Sequence, residues 1–254
     1  MFTATSTREA AGSVRPVVRL AWRIVLTMTA AAASVSTAAA QDQVIGLLTL
    51  PGIFGSEPCE RSSGDTVRLV DSPNTNRTVA TIRVDVPWTL HPAGGCEGRV
   101  VGVHRVGEAD AQPLPTREFA ADQPAAIVTD RRQRWFRLRL ADGSAWVQQP
   151  GRAEFLPLDR LVMRGLTYLT EEWDGRIAAT AGGPLRGTSR ADLSERAVRV
   201  TGTRRTAAGF WLEVDLLDAS ICETGREPTV IGHGWVPAHA TSGEPNVWFH
   251  PRGC

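Results

Sequence analysis

The stretch Trp135-Phe136-Arg137-Leu138-Arg139-Leu140-Ala141-Asp142-Gly143-Ser144-Ala145-Trp146-Val147 decides the fold. Side chains alternate across a strand, so Trp135, Arg137 and Arg139 share one face and Phe136, Leu138 and Leu140 the other. The second face is apolar throughout and must be the core. Asp142-Gly143 is a turn, and Ala145-Trp146-Val147 is the short strand after it. The signature returns as Gly209-Phe210-Trp211-Leu212-Glu213-Val214-Asp215-Leu216, followed by Gly234-Trp235-Val236-Pro237. There Phe210, Leu212, Val214 and Leu216 share the buried face, and Glu213 and Asp215 lie outside with Trp211 beside them. An aromatic-led strand, a turn and a Trp-Val strand close a small barrel; two copies predict two barrels in tandem.

Working outward, the chain reads as short apolar or alternating runs broken by Gly, Pro, Asp and Asn. Strands are expected at 66–70, 79–84, 99–106, 125–129, 135–140 and 145–148. A second set is expected at 161–163, 166–169, 177–180, 198–201, 210–216, 229–231, 234–236 and 247–249. The apolar run 44–50 reads as an edge strand or packing arm, 111–124 as a proline-rich loop, and 155–159 as a connector. Helical patterning is confined to 190–195 and a turn near 158–161. The expected organisation is a leader at 1–40, an N-terminal arm at 41–58, a first barrel at 59–150, a connector at 151–160 and a second barrel at 161–254. Both barrels carry long inserted loops.

The leader has Arg8, Arg15, Arg19 and Arg23 ahead of an alanine-rich apolar run, and Ala38-Ala39-Ala40 is a small-residue cleavage site before Gln41. It reads as a cleaved signal peptide, too weakly apolar for stable membrane insertion. The expected location is therefore the periplasm or the exterior. The segment after it holds 24 basic and 26 acidic residues, a net charge of −2. This balance speaks against a nucleic-acid partner. Every basic residue is arginine, which removes lysine chemistry. Four cysteines, Cys59, Cys96, Cys222 and Cys254, read as two disulfides in an exported chain. Three connectivities exist. Repeated spacing favours Cys59–Cys96 with Cys222–Cys254, because Cys59-Glu60 precedes Thr66-Val67 by the same offset as Cys222-Glu223 precedes Thr229-Val230. Each loop of about 30–40 residues would contribute roughly 3–4 kcal/mol on the chain-entropy account.

Val67-Arg68-Leu69-Val70-Asp71-Ser72-Pro73 and Val79-Ala80-Thr81-Ile82, completed by the Trp135 strand, Asp142-Gly143 and Ala145-Trp146-Val147, resemble the bacterial SH3-like (SH3b) family. Alanine stands where that family has glycine before Trp146. About 40 extra residues separate the two halves of the first copy, and the second copy matches less completely. The resemblance implies a non-catalytic module that binds cell-wall peptides or glycans. It places the ligand groove near 71–77, and near 168–174 in the second copy.

The residues best suited to such a surface are Trp88, Tyr168, Glu171, Trp173, Asp174 and Trp248. Exposed rings stack on sugar faces or proline, and the acids would meet polar or cationic groups. The expected partner is a cell-wall polymer or an envelope protein, with no cofactor. A protein-interaction or inhibitor module is the alternative. A small hydrolase using Glu171, Glu172 and Asp174 is the remote one. A Cys-His nucleophile would need a free thiol, and a Cys2His2 metal set of His91, Cys96, His250 and Cys254 would need reduced cysteines; export disfavours both. The run Arg131-Arg132-Gln133-Arg134 reads as a solvated turn before Trp135, able to meet an anionic polymer weakly.

Overall fold

Alternation in Trp135–Leu140 is reproduced residue by residue. Phe136, Leu138 and Leu140 are buried, and Trp135, Arg137 and Arg139 are half-exposed. This strand belongs to a computed structural model that describes residues 42–55, 65–86, 89–90, 96–97, 100–187, 196–220, 222 and 226–253. The protein is nearly all β. In chain order the elements are β1 (Gly46–Leu48), α1 (Pro51–Phe54), β2 (Val67–Val70), β3 (Thr78–Val86), β4 (Thr89–Leu90), β5 (Cys96–Glu97), β6 (Val100–Arg105), β7 (Gln112–Pro113), β8 (Thr116–Ala120), β9 (Gln123–Arg132), β10 (Trp135–Leu140), β11 (Gly143–Gln148), β12 (Phe155–Pro157) and α2 (Leu158–Met163). They continue as β13 (Thr167–Leu169), β14 (Arg176–Ala178), β15 (Leu185–Gly187), β16 (Ala197–Thr206), β17 (Gly209–Leu217), β18 (Val230–Pro237) and β19 (Val247–Phe249).

Two curled antiparallel sheets carry the fold. The first runs β12-β1-β9-β10-β11-β2-β3-β6-β7, with β8 also paired to β9. The second runs β15-β14-β18-β17-β16-β13-β19. Each therefore holds one copy of the strand signature, β9-β10-β11 in the first sheet and β16-β17-β18 in the second. Both signature tryptophans, Trp146 and Trp235, are buried.

The sequence boundaries shift at the centre. The run expected to be an arm, and the run expected to be a connector, are neighbouring strands of the first sheet. β1 pairs with β12 on one side and β9 on the other. All three residues of β1 are buried. So are Ala125 to Thr129 of β9, a continuous run and not an alternating one. A strand covered on both faces reads in this way. Ala126, Val128 and Leu48 enter one core with Leu69, Ile82, Val103, Phe136 and Leu138. Ala125, Ile127 and Leu47 enter another with Leu169, Trp173, Leu212, Val236 and Trp248. Strands β1 and β9 are thus a wall shared by two cores, and the described residues form one compact unit.

Close approach at that wall needs Gly46. A Cβ there would lie 2.3 Å from the backbone oxygen of Leu156 and 2.8 Å from the Phe155 ring. Two further expectations change for local reasons. Residues 161–163, read as a strand, are the end of helix α2. Leu158, Leu161 and Val162 are its buried residues, and their spacing suits one helix face. The proline-rich stretch 111–124 contains β7 and β8. Pro113 is tolerated because β7 is the last strand of its sheet. The leader at 1–40 and the helix expected at 190–195 lie outside the described residues. Among the described residues, no helix is long and apolar enough to cross a membrane.

Candidate functional site

The residues expected to form a loop surface do not converge on one. Trp173 is fully buried, and its indole N–H donates to the Arg176 carbonyl at 3.0 Å. It plugs the second core and closes the turn after Thr170, whose carbonyl accepts from the Trp173 backbone N–H at 3.1 Å. Trp248 is 5 % exposed. It sits in β19 beside Phe249 and is covered by the Arg117 guanidinium, 4.6 Å from its ring centroid. Both rings are packing anchors, which corrects their assignment to a ligand surface. Tyr168 is half-buried against the second core, and its ring lies 4.5 Å from that of His250. Asp174 accepts from Arg176 Nε at 2.7 Å. Glu172 accepts from the Ser242 hydroxyl at 2.9 Å. Glu171 is exposed and engaged elsewhere. Asp174 and Glu172 therefore point to separate partners. Trp88 lies outside the described residues.

The cysteine pairing also falls largely outside them. Cys59 and Cys254 are not described, and only the backbone of Cys96 is. Cys222 is exposed and is not a free thiol. Among the described residues no group of three or more His, Cys, Asp or Glu side chains could hold a metal ion.

What the fold does bring together is the turn end of both signature hairpins. Strand register places Arg131 opposite Phe136 and Arg205 opposite Phe210, each pair close to its hairpin turn. The Arg131 guanidinium lies 5.5 Å from the Phe136 centroid and 5.2 Å from that of Phe155. Arg205 lies 4.5 Å from the Phe210 centroid. The neighbouring arginines repeat the pattern on the opposite face, with Arg132 4.9 Å from the Trp146 ring and Arg204 5.3 Å from the Trp235 ring. The repeat therefore extends to arginine–aromatic stacking, a contact worth about 0.5–1 kcal/mol at exposed sites. Its sequence signal was the doublet Arg131-Arg132 and its counterpart Arg204-Arg205. The first reads as a solvated turn and the second carries no signal, because exposed arginines have no periodicity.

Arg131 and Arg205 line one cavity of about 250 Å³ where the two sheets meet. Ile45, Phe155, Pro157, Leu158 and Phe210 supply its apolar lining, and Gln43, Asp159 and His239 its other polar groups. Ring nitrogen Nε2 of His239 faces the Val44 carbonyl at 2.7 Å, so it carries the proton and donates. Burial lowers the His239 pKa below its ordinary value, and Arg205 adds to that effect, so the ring is neutral near pH 7. One Asp159 oxygen accepts from the Arg160 backbone N–H at 2.8 Å.

Other arginines are ion-paired, several of them across the two halves. Arg117 donates to Glu244 at 2.7 Å, and Arg139 also pairs with Glu244. Arg137 donates to Asp42 at 3.0 Å. Arg252 spans to Glu118 and Asp122 at 2.8 and 2.7 Å. By contrast, Arg131 and Arg205 have no carboxylate partner among the described residues. No protein-family model, curated protein or solved structure matches the chain.

Proposed function

We propose that the chain is an exported, non-catalytic binding module with two diverged SH3-like half-barrels, and that it recognises a cell-envelope ligand at the cavity between the sheets. The observation that carries this reading is the convergence of both repeated hairpins on one cavity. A repeat that served only to close two barrels would have no reason to bring equivalent arginine–phenylalanine pairs to a common opening. The basic leader and its Ala38-Ala39-Ala40 cleavage site support export. Export in turn supports disulfide formation by the four cysteines, and the repeated spacing favours Cys59 with Cys96 and Cys222 with Cys254. The recognition surface moves from the tryptophan-bearing loops to the junction, because Trp173 and Trp248 are core residues.

Co-sedimentation with purified peptidoglycan at physiological salt tests the envelope reading. Retention that falls when Arg131 and Arg205 are both changed to Gln is the expected result; no retention of the unmodified chain would discard it. A protein-interaction module is the second reading. It is favoured by Val230 and Ile231, adjacent apolar residues that are 46 % and 52 % exposed on β18. Loss of a tight protein partner on Ile231→Ser, with no polymer affinity, would establish it instead.

A further inference from the structure

Arginines at the junction fall into two groups. Arg117, Arg137, Arg139 and Arg252 are each neutralised by a carboxylate of this chain. Arg131 and Arg205 are exposed, backed by phenylalanine rings and left unneutralised at the cavity. Among described partners, the Arg131 side chain donates only to the Gln133 carbonyl, at 3.3 Å. A guanidinium seated over a ring has lost part of its rotamer freedom before any ligand arrives. Its donor edge remains available for the two-pronged grip that suits a carboxylate.

The remaining lining narrows the ligand. A volume of about 250 Å³ lies just under the roughly 300–1,000 Å³ of pockets that enclose whole ligands. It admits one residue-sized group. Ile45, Phe155, Pro157, Leu158 and Phe210 require that this group be largely apolar. Asp159 puts a negative charge on the same lining and disfavours a multiply charged anion such as phosphate. His239 is neutral with its Nε2 proton committed to Val44, so it adds no positive charge. Glu244, which also acts on His239, is occupied by Arg117 and Arg139.

From this set of groups we infer that the cavity binds a singly charged carboxylate carried on an apolar group the size of one amino-acid side chain, as at the C-terminal end of a peptide. The inference rests on the cavity being the working surface, and it assigns that surface its ligand class.

Titration calorimetry on the folded, oxidised chain tests it with N-acetyl-leucine, its neutral analogue N-acetyl-leucinamide, hexanoate and inorganic phosphate. N-acetyl-leucine is expected to bind in the millimolar range, and the amide about tenfold more weakly or not at all, since the charged hydrogen bonds are lost. Arg131→Gln and Arg205→Gln should each weaken N-acetyl-leucine binding about tenfold. Arg204→Gln, which alters an arginine stacked on the opposite face, should leave it unchanged. Thermal midpoints of the three variants confirm that each is folded. Hexanoate binding as tightly as N-acetyl-leucine would support the charge and apolar requirements while assigning the ligand to simple acids instead of peptide ends. The inference is overturned if the amide binds as tightly as the acid, if phosphate binds more tightly than either carboxylate, if no carboxylate binds, or if Arg204→Gln costs as much as Arg205→Gln. Failure of peptidoglycan retention alongside N-acetyl-leucine binding would discard the envelope reading and leave this one standing.

Discussion

The two signature hairpins share a pattern and spend their polar faces differently. In the first, Arg139 of β10 reaches Glu244 of the second half and Arg137 reaches Asp42 just ahead of β1, so that face is ion-paired and partly a seam with the second half. In the second, the corresponding face of β17 and β18 is covered. Trp211 and Trp235 pack with Ala178, Ala181 and Leu185, supplied by the β14–β15 hairpin and its turn. The buried faces also differ. The first sheet fills its own core with Phe136, Leu138 and Leu140. The second sheet packs Leu212, Val214 and Leu216 against a core that borrows Leu47, Ala125 and Ile127 from the first. A repeated strand signature therefore specifies a hairpin and its inward side. What covers the outward side depends on which element happens to lie beside it.

The borrowed residues make the second half dependent on the first, and this dependence can be broken experimentally. Trp173→Ala should have the largest effect, about 3–5 kcal/mol of lost stability, because it empties the centre of the second core. Chemical denaturation checks the loss, and N-acetyl-leucine affinity should be unaltered in the folded fraction. A stable Trp173→Ala protein that has lost its ligand would restore the loop surface as the binding site. Leu47→Ala follows at about 2–5 kcal/mol. Since β1 belongs to both cores, calorimetry should show one transition shifting as a unit. Two separating transitions would mean that the halves fold independently.

Glu244→Gln should cost about 2 kcal/mol, the scale of hydrogen bonds made to charged groups. It weakens the bonds from Arg117 and Arg139, and Glu244 is 22 % exposed, so screening by solvent is moderate. A loss unaffected by also changing Arg117 and Arg139 to Gln would show that the seam contributes nothing. The smallest effect is a pH dependence with opposing signs in the two regions. At the junction, the lowered pKa of His239 means that its contribution is complete above the unfolded value near 6.5. It is lost as pH falls from there through the folded pKa. On the second sheet, His233 is hydrogen-bonded to Asp215, which raises its pKa. Its contribution is complete below the unfolded value and is lost as pH rises through the folded one. Thermal midpoints at pH 5.5 and 7.5 should therefore show less acid sensitivity for His239→Gln and more for His233→Gln. The same direction for both would refute the assignment.

Much of the fold was legible because strand alternation is local. The buried sets Phe136, Leu138, Leu140 and Leu212, Val214, Leu216 follow from a two-residue period alone. Helix α2 was half-legible: its three apolar residues fit a helix, but a run as short as Leu161-Val162-Met163 reads equally as strand. Trp173 and Trp248 were misplaced because their turn-rich neighbourhoods say nothing about what lies underneath. Their burial comes from β13, β16, β19 and, for Trp248, Arg117 of the other sheet.

The amino-acid order by itself determined the hairpins, their inward faces and the β class, since each depends on neighbours within one or two strands. Tertiary structure alone decided that the run 44–50 lies between two cores, that Trp173 is a plug, and that Arg131 and Arg205 meet at one opening. Those outcomes depend on contacts between residues some 30 to 200 positions apart, such as Val44 with His239. Sequence periodicity carries no record of such distances.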